Sequence, residues 1–196
     1  DILQMSKIED GNVPLTQEII NFDELSRDVL TIIEQRAKDR GIQLQFRSKK
    51  EGLRYPFIYG SPVHLRQIFL NIYGNCIKYN RIGGKIITVS DYTEAVDGIT
   101  TYEGAITDTG IGMSREYQEH IFEPFSQERE DARSTQQGIG LGMAIVKGLI
   151  EKMGGTIEVK SEEGIGSTFI IRIPFKLAPA PDTAKKTVAQ MDISGL

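Results

Sequence analysis

Asn71, Asn75 and Lys78 follow one another at spacings of four and three residues. On a helix turning about 100° per residue they gather on one side, so two amides and an amine face one place. Taken alone, that triplet is better explained as an ordinary solvated helix face. A second group, Asp108-Thr109-Gly110-Ile111-Gly112, sets a carboxylate beside two glycines where a strand should end. A third, Gly138-Ile139-Gly140-Leu141-Gly142, stands directly before a helical pattern. Glycines there permit close backbone approach, and a helix amino terminus favours a phosphate. Each glycine group is weak by itself, since Asp can simply start a turn and Gly can be a joint.

The elements that must position these groups follow from hydrophobic period. Asp1 to Glu9 reads as the last turns of a helix, stopped at Gly11-Asn12. An extended stretch, Val13 to Asn21, precedes a helix over Phe22 to Arg40. Leu25, Val29, Ile32, Ile33 and Ala37 are its apolar positions, and Asp23 caps or favours its first turn. Ile42, Leu44 and Phe46 alternate as in a half-buried strand, and Phe57 to Tyr59 forms a second short one.

Ser61-Pro62 supplies an N-cap and a first-position proline. The helix that follows runs its apolar stripe through Leu65, Ile68, Phe69, Ile72 and Cys76, away from the Asn71, Asn75 and Lys78 side. Strands are expected over Lys85 to Asp91 and Tyr102 to Asp108, joined by a polar Thr93 to Thr100. A short helix follows over Glu116 to Phe122, then a glycine-rich, charged segment. Leu141 to Met153 is an apolar helix ended by Gly154-Gly155. Two closing strands, Thr156 to Lys160 and Ser167 to Phe175, flank Gly164-Ile165-Gly166. This order predicts a two-layer α/β sandwich, with helices on one face of a mixed, largely antiparallel sheet.

The chain has 196 residues, 39% of them hydrophobic, enough for one domain with a core plus extensions. A net charge of −4 gives no basic field to collect nucleic acid. The single cysteine, Cys76, excludes an internal disulfide and a cysteine zinc site, and reads as a buried cytosolic thiol. No apolar run approaches the roughly 20 residues of a membrane span.

Taken in order, the groups match one family. His64-Leu65-Arg66-Gln67-Ile68-Phe69-Leu70-Asn71-Ile72-Tyr73-Gly74-Asn75-Cys76-Ile77-Lys78-Tyr79-Asn80 resembles the N box of sensor histidine kinases. Asp108 to Gly112 resembles their G1 box, Ile121-Phe122-Glu123-Pro124-Phe125 their F box, and Gly138 to Gly142 with Ala144-Ile145-Val146-Lys147 their G2 box. Gly164-Ile165-Gly166-Ser167-Thr168-Phe169 is similar to the family's closing strand. The departures are Cys76 where alanine is common and Asn80 where a hydroxyl residue is common.

The resemblance implies an ATP site. Asn75, supported by Asn71, would offer an amide oxygen to Mg²⁺, a hard cation that takes oxygen ligands. Lys78 would answer phosphate charge and Tyr79 would lie against adenine. Asp108 would accept a hydrogen bond from the adenine amine, since an ionised carboxylate can only accept. Gly110 and Gly112 would let the backbone pass beside the base. Gly138, Gly140, Leu141 and Gly142 would bring backbone amides to the phosphates. Phe125 to Gln137 would be the ATP lid, with Arg129 and Arg133 either reaching a phosphate or standing as solvated loop charges.

Related gyrase, chaperone and mismatch-repair ATPases carry a glutamate base where Asn71 stands, and an amide is no general base. Transfer of the γ-phosphoryl to a histidine is therefore expected rather than hydrolysis, with a non-catalytic nucleotide switch as the alternative. Neither His64 nor His120 sits in the family's acceptor pattern, so both are read as structural or surface residues. The acceptor belongs to a histidine-containing dimerisation domain upstream, with residues 1–21 as the end of its helix and connector. Residues 22–175 are the catalytic domain. Residues 176–196, rich in Ala-Pro, are a linker toward a receiver domain or response regulator. The expected fragment is monomeric and cytoplasmic; its parent would be a homodimer, anchored in the inner membrane or not.

Overall fold

The computed structural model describes residues 1–49, 55–127 and 139–181. In chain order its elements are α1 (Ile2–Glu9), β1 (Glu18–Asn21), α2 (Phe22–Asp39), β2 (Gln43–Ser48), β3 (Phe57–Gly60), α3 (Pro62–Lys78), β4 (Lys85–Tyr92), β5 (Ile99–Asp108), α4 (Arg115–His120), α5 (Gly142–Lys152), β6 (Thr156–Glu162) and β7 (Gly166–Lys176). Five strands form one sheet in the order β2-β4-β5-β7-β6, and β1 pairs with β3 in a separate ribbon. Among the described residues only β2 and β4 run parallel; every other pair is antiparallel. The two-layer α/β sandwich with a mixed, largely antiparallel sheet is thus observed.

Alternation along the central strands decides which face the helices cover. Ile86, Ile106, Phe169, Ile171, Ile173 and Phe175 are buried on one side. There they join Leu65, Ile68, Phe69, Ile72 and Cys76 of α3 and Ile145, Val146, Leu149 and Ile150 of α5 in one core. Each such side chain removed from water contributes about 1.5–3 kcal/mol. The opposite sheet face is half-exposed, and there Arg172 pairs with both Glu103 and Glu158.

Local physics moved several sequence expectations. In α2 the buried positions are Phe22, Leu25, Val29, Ile33 and Ala37, whereas Ile32 is 42% exposed, at the edge of that stripe about 80° from its centre. Asn21 caps α2, its Oδ1 accepting from the amides of Asp23 and Glu24, so Asp23 lies in the first turn. Ser61 holds the N-cap position of α3, yet its hydroxyl bonds His64 Nδ1 at 2.7 Å rather than a helix amide.

β5 begins at Ile99, three residues earlier than expected. Asp97 and Gly98 both take positive φ, and Val96 and Ile99 exchange two backbone hydrogen bonds, the geometry of a tight Asp-Gly hairpin. After β7, Leu177 donates to Gly98 O and Ala178 to Phe57 O.

The amino-terminal helix lies against the domain. Ile8 occupies the room left by the absent side chain of Gly148 in α5, Gln4 and Gln67 exchange amide hydrogen bonds, and Lys152 Nζ donates to Gly11 O at 2.6 Å. No helix of the described residues is long and apolar enough to cross a membrane.

Candidate functional site

The helix α3 runs along the site, its apolar stripe fixed in the core and its amide-bearing side turned away. At about 1.5 Å per residue, Asn71 and Tyr79 stand about 12 Å apart along its axis. At the Asn71 end the neighbour is the first turn of α5: Asn71 Nδ2 donates to Gly142 O at 3.5 Å. At the Tyr79 end the neighbour is the Asp108 loop, where Ile111 N donates to Tyr79 O at 3.1 Å. Asn75 lies one turn from each, half-buried, and its side chain has no hydrogen-bond partner among the described residues.

Asp108 closes β5 and is 6% exposed. Its Oδ1 accepts from Gly110 N at 2.8 Å. Burial pushes its carboxyl above the ordinary carboxylate value, opposed by the amides of Gly110 and Ser167 and by the Cys76 thiol. Cys76 is itself driven well up by burial and by the neighbouring Asp108, so it is an inert packing thiol.

The loop that follows Asp108 is gripped by backbone. A Cβ on Gly112, whose φ is +67°, would stand 1.9 Å from Glu162 O, and one on Gly110 would stand 2.4 Å from Tyr79 O. These glycines are therefore required by the chain's own packing, whatever they also do for a ligand.

At the other end, Leu141 is the N-cap of α5 and makes no side-chain cap. The amides of the first turn therefore receive no bond from the N-cap side chain. Leu141 itself is 2% exposed, so only its backbone faces the site. Gly140, at φ +77°, packs against Phe125 and Ser126, which brings the F box beside the G2 glycines. Lys78 Nζ sits 4.9 Å from the centre of the Tyr79 ring, itself 45% exposed. Gly138, Arg129 and Arg133, together with the remaining lid residues 128–137, lie outside the described residues, as do residues 182–196.

Both histidines are accounted for by local partners. His64 bonds Ser61, and burial lowers its pKa. His120 pairs with Glu123 at 3.0 Å, and that carboxylate raises its pKa.

Three groups that sequence reasoning passed over complete the site's walls. Arg81 donates to Gly110 O at 3.0 Å and also to Gly164 O. Gln118 of α4 brackets Ser161 through both backbone groups, at 2.9 Å each, and donates to Met113 O. Ser161 Oγ in turn accepts from Met113 N and bonds Ser167 Oγ at 2.8 Å. None of the three carried a sequence signal; their partner Ser167 did, as the residue after Gly166 in the closing strand.

An acidic metal cage is absent: among the described residues no three His, Cys, Asp or Glu side chains cluster to hold an ion. The unpartnered amide of Asn75 and the nearby Asn71 fit instead a cation that takes most of its oxygens from a bound phosphate.

Comparison with known proteins agrees with this layout. Residues 60–177 match the family described as histidine kinase-, DNA gyrase B-, and HSP90-like ATPase. The autoinducer 2 sensor kinase/phosphatase LuxQ of Vibrio parahaemolyticus is 29% identical over 97% of this chain and 23% of its own length. Histidine protein kinase 1 of Candida albicans is 34% identical over 88% of this chain and 7% of its own. The structure of full-length ShkA in complex with AMPPNP superposes with a TM-score of 0.72 at 29% identity, covering 92% of this chain and 35% of that one. The chain therefore spans at most about a quarter of these curated relatives. With its boxes in order on the matching fold, the chain belongs to the histidine kinase-, DNA gyrase B- and HSP90-like ATPase family.

Proposed function

We propose that this chain is the ATP-binding catalytic domain of a sensor histidine kinase, passing the γ-phosphoryl of ATP to a histidine on a dimerisation domain. The observation that carries this reading is the two-ended face of α3. A buried carboxylate stands at one end, helix amides without a side-chain cap at the other, and the Asn75 amide between them, which suits a base at the first, phosphates at the second and a phosphate-bound cation beside Asn75.

Asp108 would accept from the exocyclic amine of adenine, favouring ATP over GTP, which carries an oxygen there. The Lys78 amine and the amides of Gly142 and its neighbours would offset phosphate charge, and Tyr79 would lie along the base. Asn75, with Asn71, would hold Mg²⁺, which supplies positive charge at the phosphates when bound. Asn71 cannot abstract a proton from water near neutral pH, so the γ-phosphoryl is kept for a better-placed acceptor. Positioning and charge do most of the work in such a transfer.

On this reading residues 1–21 end a dimerisation helix and its connector, residues 22–175 form the domain, and residues 176–196 lead toward a receiver. The acceptor is the dimerisation domain of the same protein, a homodimer on the cytoplasmic side, and the phosphoryl group passes on to a receiver or response regulator.

Calorimetric titration with AMPPNP, with and without Mg²⁺, tests the site. Saturable binding is expected, strengthened by Mg²⁺ in the wild type. In Asn75→Ala that strengthening is lost, about tenfold or more, with the melting temperature unchanged. Joining the dimerisation helices upstream should then give phosphohistidine from labelled ATP. A folded protein that binds no nucleotide would sink the reading, and binding without labelled histidine would leave a nucleotide switch.

A further inference from the structure

Arg81 lies just past the end of α3, outside every box that marks the family, and its own side chain is exposed. Its guanidinium nevertheless donates to two backbone carbonyls far apart in the chain. One is Gly110 O, in the loop after Asp108; the other is Gly164 O, in the turn between β6 and β7. Those two segments are also joined directly, Gly164 N donating to Ile111 O at 2.7 Å. Ile111 N in turn donates to Tyr79 O, so α3, the loop and the turn close into one ring of hydrogen bonds.

The arginine is itself held at its base. Asn80 Oδ1 accepts from Arg81 N at 2.9 Å, and Asn80 Nδ2 donates to Lys85 O at 3.1 Å. Lys85 N donates to Thr109 Oγ1 at 2.8 Å, tying the start of β4 to the same loop. A planar guanidinium can satisfy two carbonyls at once, and its charge strengthens both bonds; a lysine ammonium is a point donor.

We propose that Arg81 is a positioning residue for the nucleotide site, a staple that fixes residues 109–113 against the β6–β7 turn and so presets Asp108 for the base. The inference rests on the nucleotide reading above. Its chemistry is specific: the staple acts on the base end, so removing it weakens every adenine nucleotide alike, whatever the number of phosphates. An arginine contacting the γ-phosphate directly would instead discriminate between di- and triphosphate.

The test compares wild type, Arg81→Ala and Arg81→Lys as the whole chain. The measurements are affinities for ADP and for AMPPNP, hydrogen exchange of residues 109–113, and melting temperature. In Arg81→Ala both affinities are expected to fall by the same factor, about tenfold, with faster exchange at Ile111 and Gly112 and a melting temperature within a few degrees. Arg81→Lys should recover part of both losses. Unchanged affinity and exchange in Arg81→Ala overturns the proposal, as does a loss confined to AMPPNP. Should Arg81→Ala fail to fold, Arg81→Gln, which keeps one donor, is read against Arg81→Lys by the same criteria. If wild type binds no nucleotide, faster exchange in Arg81→Ala overturns the functional reading and keeps the staple. Unchanged exchange in that case overturns both.

Discussion

The two ends of the site are built differently. Around Asp108 nearly every polar group has a partner within the protein: Oδ1 is met by Gly110 N, the loop carbonyls by Arg81 and Gly164 N, and Gly112 lies flat against Glu162 O. Around the first turn of α5 the groups are left over. The N-cap has no side-chain cap, Asn71 reaches Gly142 only at 3.5 Å, and the Asn75 amide has no partner among the described residues. On the nucleotide reading, an end whose polar groups are already partnered within the protein would select its base by shape. On the same reading the α5 end would gain most from phosphate, since donors without a strong internal partner gain most from a charged ligand.

The same substitution at the two ends should therefore behave oppositely, and the largest effect is expected at Gly112. Gly112→Ala places a Cβ 1.9 Å from Glu162 O at a φ of +67°. A shift in the urea midpoint worth about 3 kcal/mol or more is expected, with loss of nucleotide binding. A variant as stable as wild type would show that this end is not tightly held.

Asp108→Asn sharpens the comparison with a smaller structural effect. Burial raises the Asp108 pKa, so the folded protein binds its proton at higher pH than the unfolded chain does. Its ionisation then costs stability as pH rises from the ordinary carboxylate value through the raised one. Removing the charge should leave the melting temperature at neutral pH unchanged or higher, while AMPPNP affinity drops by about 100-fold, because the amide presents a donor toward the adenine amine. Wild-type affinity should also weaken on acidification through the raised pKa and the variant's should not. Titrations at two pH values decide it.

The smallest effect belongs to Gly142→Ala. Its Cβ would meet nothing closer than Asn71 Cγ at 4.0 Å, and alanine suits a helix better than glycine. Stability should change by no more than about 0.5 kcal/mol by denaturant titration. A larger loss would mean that the α5 end is as tightly built as the Asp108 end.

What could be read in advance follows the same divide between local and distant causes. The stripe Leu65, Ile68, Phe69, Ile72 and Cys76 is buried as its 3.6-residue period implies, and the amides on the other side of α3 were legible for that reason. The early start of β5 was missed although Asp97-Gly98 carries a local hairpin signal, because a polar run was weighed above the turn it contains. The parallel pairing of β2 with β4, the β1–β3 ribbon and the bonds of Arg81 and Gln118 depend on segments 20 to 80 or so residues apart. No period or spacing encodes those meetings. Arg81 carries no signal of its own in the sequence, and only the register of β6 against β7 brings Gly164 O to it.

Gly148 adds a mechanical consequence. Helix α5 is a rod of 11 residues, about 16 Å long. Its first turn borders Asn71, and about two turns further on Gly148 seats Ile8 of α1. A side chain at position 148 would collide with Ile8, which would have to give way. The missing Cβ thus works as a bearing surface: it seats α1 on the same stiff helix whose first turn borders Asn71.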